Sequence, residues 1–396
     1  MQASLLKDSE TVPTLESLVA AVERLGPTLR ARAAEAEGRR QLPAETIRDL
    51  FDAGVLHYFI PRRFGGLEME WGGHLALGRR LAHYCASTAW ISCVVGSHGT
   101  YLGRMEPQAQ EDVWGNGPDV LVATGSVSRN VSVETVEGGF RISGRWSFCS
   151  GVDHAGWALL RASPTGDLRQ TYFLFPRSDY RIDDDWFVSG MSGTGSKSVI
   201  VDNVFVPTYR TLPLGTLMSP EPPGGAVNPG YIYKYNFRPF SGVNLLGPII
   251  GGAEAVVAAY RDLLEAGTPG HSKDDAQTQL RLAESEAEVA AALCLMDSLV
   301  ARLQDFGRNN RDVPHPDRIG FVRDRTFAAR LCFNAAERLV TSLDQSVLLS
   351  EHPIQRCFRD LGGMIQQIGV NWDRNMTDVV KASFGRQTNI PFLNTQ

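Results

Sequence analysis

The residues of this chain best suited to chemistry lie at 144–151, which reads GRWSFCSG. The aromatic rings of Trp146 and Phe148 alternate there with the small polar side chains of Ser147, Cys149 and Ser150. Small hydroxyl and thiol groups leave backbone amides accessible, so the pattern predicts a surface that binds a flat heterocycle with polar edges. The alternative is an ordinary strand with a buried tryptophan, because aromatic clusters usually belong to the core.

His98, in the segment 96–99 (GSHG), is a second residue that could act chemically. A histidine can accept a proton near neutral pH, but a lone histidine among small residues is also a common core residue. The other histidines form no H-x-x-x-H pair, and the six cysteines form no C-x-x-C pair. These spacings predict no metal site and a set of reduced core thiols.

Composition excludes several classes of function. The chain has 396 residues, of which 43% are hydrophobic and 21% charged, so it is long enough for two or three globular domains. A net charge of -5 argues against a nucleic-acid partner, because no basic field attracts a phosphate backbone. No uninterrupted apolar run of membrane-spanning length is evident, and the N-terminus lacks a basic segment followed by an apolar one. We therefore expect a cytoplasmic protein with no membrane partner.

The elements around these residues follow the order helix, strand, helix. Alternating apolar residues predict six or seven strands over 118–212, with hairpin turns at Gly138-Gly139 and at Ser143-Gly144. The proline-rich segment 213–230 predicts a lid or linker, and 231–237 predicts either a substrate-facing aromatic wall or a surface edge strand. Helical periodicity is found at 14–37 (with a break near Gly26-Pro27), 43–54, 71–114, 240–266, 272–308, 317–350 and 353–384.

Two motifs carry a resemblance that covers nearly the whole chain. The segment 144–151, followed by 190–197 (GMSGTGSK) and 201–207 (VDNVFVP), resembles the acyl-CoA dehydrogenase superfamily. Within it, the motifs resemble the flavin-dependent monooxygenases of two-component systems, the group D aromatic hydroxylases. The fold that this resemblance implies is α+β, mainly α. It comprises an N-terminal helical domain (1–117), a central small β-barrel (118–212), a loop or lid (213–239) and a C-terminal four-helix bundle (240–396).

The resemblance also implies a cofactor and its contacts. The cofactor is reduced FAD, with reduced FMN as the alternative, delivered by a separate NAD(P)H flavin reductase; dioxygen is the co-substrate. The oligomer implied is a tetramer or a dimer. Ser150 is the first choice for the flavin N5, and Ser126 lies where the family makes its first flavin or substrate contacts. The further predicted cofactor contacts are Trp146, Ser147, Phe148, Cys149, Thr194, Gly195, Ser196, Arg281, Gly362 and Gly363.

The resemblance points to hydroxylation through a flavin C4a-hydroperoxide. In the dehydrogenases a glutamate follows an Arg-Asp pair by eight residues, but Arg359-Asp360 leads here to Ile368, which cannot accept a proton. Glu254 stays open as a displaced base. Gln367 stands where the hydroxylases commonly have a histidine, and glutamine is no base near pH 7. That leaves His98, which matches their substrate-contacting histidine, as the remaining acid or base.

The missing base predicts a substrate that is already electron-rich. We expect an indole, carbazole or aniline, narrowly ahead of a phenol or hydroxyaromatic polyketide, in secondary metabolism such as antibiotic biosynthesis. Two alternatives stay open: an acyl-CoA dehydrogenase or oxidase, and a non-catalytic protein of the same fold.

Overall fold

The structure is a computed structural model that describes residues 13–167, 169–236, 238–267 and 272–394. The N-terminal segment used above to predict localisation, 1–12, and Phe237 of the predicted aromatic wall lie outside the described residues. The chain divides into two compact units, the first from 1–74, 91–188 and 192–237, and the second from 75–90, 189–191 and 238–396. Both units take residues from several of the predicted domains. The predicted domain boundaries stay a prediction.

The first unit begins with helix α1 (Leu15–Arg39), capped at its start by the Thr14 hydroxyl. The break predicted near Gly26-Pro27 is wrong, because Pro27 lies inside a continuous helix. Proline removes one backbone donor, and a long helix whose apolar face is buried tolerates that loss. The other described helices of this unit are α2 (Ala44–Asp52), α5 (His98–Leu102), α6 (Pro107–Trp114) and α7 (Leu214–Leu217), and a π-helical turn (Ile91–Val95) precedes α5.

Eight strands in two four-stranded sheets fill the predicted strand region. The first sheet has the order β1-β4-β5-β8, with β1 and β4 parallel, and the second has the order β2-β3-β7-β6. The main core of the unit joins α5 and α6 to the first sheet through Leu102, Met105, Leu159 and Leu174. The strands are β1 (Leu121–Gly125), β2 (Val127–Val136), β3 (Gly139–Cys149), β4 (Ala155–Ala162), β5 (Thr171–Pro176), β6 (Arg181–Asp183), β7 (Lys197–Pro207) and β8 (Thr211–Pro213).

Strand β3 departs from the sequence expectation at two points. The turn predicted at Ser143-Gly144 is wrong, because β3 continues through these residues without a break. The β3–β7 register shifts at this point, and a bulge at Asn203 on β7 (φ 50°) accommodates the shift. A second bulge lies between Trp146 and Cys149, where Phe148 has a φ of 63°. One extra residue reverses the alternation of side chains from that point. Trp146 and Cys149 therefore both point into the core, and Phe148 points out.

The proline-rich segment of the first unit is held by a buried arginine. Arg104, which is 0% exposed, donates to the carbonyls of Ile232 (3.2 Å), Tyr235 (2.6 Å) and Ser219 (2.5 Å). The predicted aromatic wall forms a 3-10 turn at Tyr231–Tyr233 instead of an edge strand. Arg104 thus anchors the proline-rich segment at Ser219 and the segment after it at Ile232 and Tyr235.

The second unit is helical in its described part. It contains most of α3 (Gly73–Ala82), then α4 (Ala86–Trp90), α8 (Leu246–Glu265), α9 (Ala276–Arg308), α10 (His315–Val340), α11 (Pro353–Met364) and α12 (Trp372–Ser383). The single helix predicted for 353–384 is wrong, because the chain leaves the helix after Met364 and restarts after Asn371, whose side chain caps α12. The segment Val243–Glu265 is apolar and long enough to cross a membrane, but 78% of its most apolar window is buried inside the protein, as in a core helix.

Candidate active site

An exposed aromatic pair lies beside the second bulge of β3. Phe148 is 59% exposed, and its ring meets that of Trp186 edge to face, with centroids 5.8 Å apart. An exposed aromatic ring offers a face on which a flat group can stack. The left-handed backbone at Phe148 is what turns this ring outward.

A chain of hydroxyls continues directly from that pair. The Ser150 hydroxyl lies 2.8 Å from the Ser196 hydroxyl, which lies 2.7 Å from that of Thr194. The Gly151 amide donates to the Thr194 carbonyl (2.9 Å) and ties the two turns together. Gly195 has a φ of 53°, and a Cβ there would lie 2.6 Å from Asp153 Oδ2, so only glycine fits. The structure thus brings together Phe148, Ser150, Thr194 and Ser196 of the predicted cofactor contacts.

The other predicted contacts on β3 have different surroundings. Trp146 is 0% exposed and donates its indole N–H to the Arg161 carbonyl (2.9 Å). Cys149 is also 0% exposed, and burial raises the pKa of its thiol to about 12. Neither side chain reaches the surface, so we leave both out of the cofactor contacts proposed below. Ser147 is half-buried, 3.2 Å from the Ser198 hydroxyl.

His98 opens α5 and is held from both sides by β1. Its Nδ1 lies 2.7 Å from the Val122 carbonyl oxygen, and its Nε2 lies 3.1 Å from the Thr124 hydroxyl. A carbonyl oxygen only accepts, so Nδ1 carries the proton and donates. In the neutral ring Nε2 is then an acceptor. The arrangement gives a histidine whose proton-accepting nitrogen faces the hydroxyl-bearing side of β1.

Burial sets the charge of His98. The residue is 5% exposed, and removal from water lowers the pKa of its imidazole to about 4, against a small opposing contribution from the bond to Val122. The ring is therefore neutral at pH 7. A neutral imidazole with a fixed tautomer orients a hydrogen-bond donor, but it is too weak a base to keep a proton near neutrality.

This burial predicts a loss of stability in mild acid. Below pH 6.5 the unfolded chain protonates His98, whereas the folded chain does not until about pH 4, so the free energy of unfolding falls as pH is lowered through that window. Between pH 6.5 and pH 5 we expect a loss of about 1.5 kcal/mol from this residue. Urea unfolding of the wild type and of His98→Gln at both pH values measures it. His74, whose pKa burial lowers to about 3, contributes equally to both proteins; identical pH dependence in the two would contradict the prediction.

A second polar group lies directly after the end of β1, two residues beyond Thr124. Ser126 is exposed, and its hydroxyl lies 3.2 Å from that of Tyr172 on β5. Its carbonyl accepts from Arg161 Nη2 (3.2 Å) on β4. Of this group, sequence reasoning singled out only Ser126. The available signal was the alternation of polar residues on β1, but Arg161 and Tyr172 come from strands whose pairing the sequence leaves open.

The predicted site residues of the second unit have local partners there. Gln367 accepts from the backbone N–H of Gly369 within its own turn. Gly363 lies against Met191, and a Cβ at Gly362 would meet only the Phe333 ring, at 3.9 Å. Arg281 is half-buried in α9. Apart from the adjacent Gly362 and Gly363, no contact among the described residues joins these four, and their functional roles stay predictions.

The displaced base considered at Glu254 is neutralised. Arg79 donates to both of its carboxylate oxygens (2.6 to 2.9 Å), and His83 Nε2 lies 3.0 Å from Oε2. Burial acts to raise the pKa of this carboxyl, but the bonds to His83 and Arg79 outweigh it and lower the pKa overall. A carboxylate with a lowered pKa and a bidentate guanidinium partner is a poor proton acceptor. Ile368, which occupies the dehydrogenase base position, is 52% exposed.

Two family models match the chain. That for the acyl-CoA dehydrogenase N-terminal domain matches residues 16–114, and that for the acyl-CoA dehydrogenase C-terminal domain matches residues 245–372.

Relatives with assigned activities cover most of the chain. The oxygenase subunit HsaA of a flavin-dependent monooxygenase from Rhodococcus jostii is 33% identical over 86% of this chain and 91% of its own length. The oxygenase component of an FADH2-dependent resorcinol hydroxylase from a Rhizobium species is 31% identical over 93% of this chain and 94% of its own. The crystal structure of 3-HSA hydroxylase from Rhodococcus superimposes with a TM-score of 0.89 at 30% identity, covering 95% of this chain and 98% of that one.

Proposed function

This chain belongs to the acyl-CoA dehydrogenase superfamily, in the branch of flavin-dependent monooxygenase oxygenase components, and we propose that it hydroxylates an electron-rich aromatic compound that presents an O–H or N–H to His98. Its general activity follows from this membership: it is a two-component, FADH2-dependent aromatic hydroxylase. Its partners are accordingly a small aromatic substrate and a separate flavin reductase, and dioxygen is the co-substrate.

The observation that carries the proposal is the tautomer of His98. With Nδ1 committed to the Val122 carbonyl, Nε2 can only accept, and its single lone pair meets a ligand O–H or N–H when the Thr124 hydroxyl, 3.1 Å away, turns to another acceptor. A phenol O–H or an indole N–H satisfies such an acceptor, whereas a bare carbocycle leaves it without a donor other than Thr124. An oxygen or nitrogen lone pair on the ring also makes the neighbouring carbons nucleophilic. The same contact therefore selects an aromatic compound that reacts with electrophilic oxygen.

The first unit has a surface that fits the flavin ring. The exposed Phe148 ring offers a stacking face, and the half-buried Ser150 hydroxyl offers a donor or acceptor at its edge, with the buried Ser196 and Thr194 hydroxyls behind it. Reduced flavin, when bound, supplies the two electrons that activate dioxygen, and passage through a C4a-hydroperoxide is part of the proposal. We assign to Ser150 the task of holding the proton at the flavin N5, and to Ser196 that of orienting the Ser150 hydroxyl.

Isotope labelling tests the proposed function. The purified chain is supplied with FAD, NADH, a generic flavin reductase and oxygen-18 gas, and is offered resorcinol and indole beside their O-methyl and N-methyl derivatives. We expect one labelled oxygen atom in the products of the O–H and N–H compounds and little product from the methylated ones. Reductase and flavin without the chain provide the background. Hydrogen peroxide alone from every compound would refute hydroxylation, and equal turnover of the methylated compounds would refute the role of His98.

The two alternative functions have less support. Proton abstraction from an acyl thioester needs a free carboxylate, and Glu254 is committed to Arg79 and His83. A protein that had lost its chemistry has no need for an exposed aromatic ring next to an intact chain of hydroxyls.

The oligomeric state and the cellular location are further parts of the proposal. We propose a tetramer or dimer, supported by three exposed apolar side chains of the second unit: Phe327 on α10, Val380 on α12 and Phe384 directly after α12. The cytoplasmic location, the use of FMN and a substrate from secondary metabolism stay predictions.

A further inference from the structure

Arg161 is a cation without an anion in the part of the chain that the structure describes. It lies on β4, half-buried, and forms no ion pair with any described carboxylate. Its Nη2 donates to the Ser126 carbonyl (3.2 Å), but its Nε is buried and has no hydrogen-bond partner. A guanidinium partly withdrawn from water loses solvation that one neutral carbonyl does not replace. The group is thus prepared to receive an acceptor, and a charged one above all.

The hydroxyls of Tyr172 and Ser126 lie next to each other near Arg161. Tyr172 is the cross-strand partner of Arg161 in the β4–β5 register, and its ring centroid lies 6.0 Å from the guanidinium carbon. Its phenol oxygen lies 3.2 Å from the Ser126 hydroxyl. Tyr101 of α5 packs edge to face on Tyr172, with centroids 5.6 Å apart, and also contacts the His98 ring (5.7 Å), so it lies against both groups. A guanidinium with two neighbouring hydroxyls is a donor set typical of carboxylate recognition.

This group and His98 lie against the same face of the first sheet. Side chains two residues apart on a strand share a face and are separated by about 7 Å. Thr124, which bonds His98 Nε2, lies on β1, and Ser126 follows it by two residues, directly after β1 ends. Leu159 and Arg161 on β4 have the same relation, because Leu159 is the register partner of Thr124. The face therefore offers a proton acceptor at one end and a cation at the other, about one substituted ring apart.

We propose that Arg161, Tyr172 and Ser126 form an anion-binding subsite that takes a carboxylate carried by the aromatic substrate, with the substrate's O–H or N–H at His98. This inference rests on the proposed function and narrows it to aromatic acids with the donor and the carboxylate at opposite ends of the molecule. The subsite acts in binding and orientation and transfers no proton.

Equilibrium binding without flavin turnover tests the subsite. The probes are 4-hydroxyphenylacetate and its neutral amide, measured by calorimetry on the wild type, Arg161→Gln and Arg161→Lys. We expect the wild type to bind the acid about tenfold more tightly than the amide. Arg161→Gln should remove that preference while leaving the amide within about twofold, and Arg161→Lys should restore part of it. Arg177→Gln is the matched control. Arg177 likewise lies over a tyrosine (Tyr180, 5.0 Å) and bonds a carbonyl, but it is in the turn after β5, away from the proposed subsite.

The flavin phosphate is the other anion that could occupy this subsite, and a second arm separates the two. FMN and riboflavin, which differ by one phosphate, are titrated against the same variants by fluorescence. Loss of FMN affinity in Arg161→Gln with riboflavin unchanged, together with no preference for the acid, would overturn the proposal in favour of a phosphate site. Equal binding of acid and amide by the wild type would also overturn it. Because neither arm requires product, a failure of hydroxylation alone is distinguishable from a failure of this subsite.

Discussion

Replacing His98 by leucine is expected to lower kcat/KM for phenolic and indolic substrates by about 100-fold, the lower end of what a positioned acid–base or orienting group contributes. Leucine fills a similar volume but removes the Nε2 acceptor that faces Thr124. The substrate donor then loses its partner, and the ring loses the orientation that directs oxygen to one carbon. Steady-state kinetics with a saturating flavin reductase measure the loss, and the ratio of hydrogen peroxide to product should rise with it.

Two conservative variants separate the chemical role of His98 from its structural one. His98→Asn keeps an N–H near the position of Nδ1 and can still donate to Val122, but it lacks an acceptor at the position of Nε2. His98→Gln can place an acceptor there. We therefore expect His98→Gln to retain more activity than His98→Asn, with similar melting temperatures. Equal activity in the two, or losses that follow the melting temperature alone, would reduce His98 to a core residue.

Replacing Ser150 by alanine is expected to raise the fraction of reduced flavin that ends as hydrogen peroxide by about tenfold, with little change in substrate affinity. The Ser150 hydroxyl is the end of the chain that continues through Ser196 to Thr194. Without it, the proton at the flavin N5 has no fixed partner and leaves early, so activated oxygen is released before it reaches the ring. A tenfold change corresponds to about 1.4 kcal/mol, which is within the range of one intramolecular hydrogen bond. Rapid mixing of the reduced complex with oxygenated buffer, followed by peroxide and product assays, measures the partition.

Ser147→Ala is the matched control for this variant. Ser147 is on the same strand and is also half-buried, but its hydroxyl neighbours Ser198, which bonds Asp185 and lies outside the chain of three hydroxyls. We expect Ser147→Ala to leave the partition near that of the wild type. A similar rise in peroxide for both variants would point to a general loosening of β3, and no rise for Ser150→Ala would remove the residue from its proposed role.

Much of this protein was open to prediction from the sequence. The motifs at 144–151 and 190–197 predicted the superfamily and its monooxygenase branch, the fold class and the reduced-flavin cofactor, and the family models and relatives confirm them. Periodicity placed strands in the middle of the chain and long helices after them, because the period of apolar residues is a local property. The glycine turn at 193–195 was likewise recognisable, because glycine is the residue that most readily adopts the backbone conformation such a turn requires.

Other properties were decided by tertiary structure. The bulge that buries Trp146 and Cys149 but exposes Phe148 depends on how β3 pairs with β7, and alternation along β3 alone predicts a different set of faces. The glutamate side chain of Glu254 could act as a base. Its position prevents this, because Arg79, 175 residues away in the chain, binds its carboxylate.

In the candidate site, too, some properties follow from residue type and others from tertiary packing. That His98 could accept a proton follows from its side chain, but its tautomer follows from the Val122 carbonyl, 24 residues on, and its depressed pKa follows from burial. The group of Arg161, Tyr172 and Ser126 joins β4, β5 and the residue after β1, whose relative positions no local sequence pattern encodes. Residue type determines which chemistry is available, and long-range packing decides which atoms remain free to perform it, because hydrogen-bond partners and desolvation are set by neighbours in space.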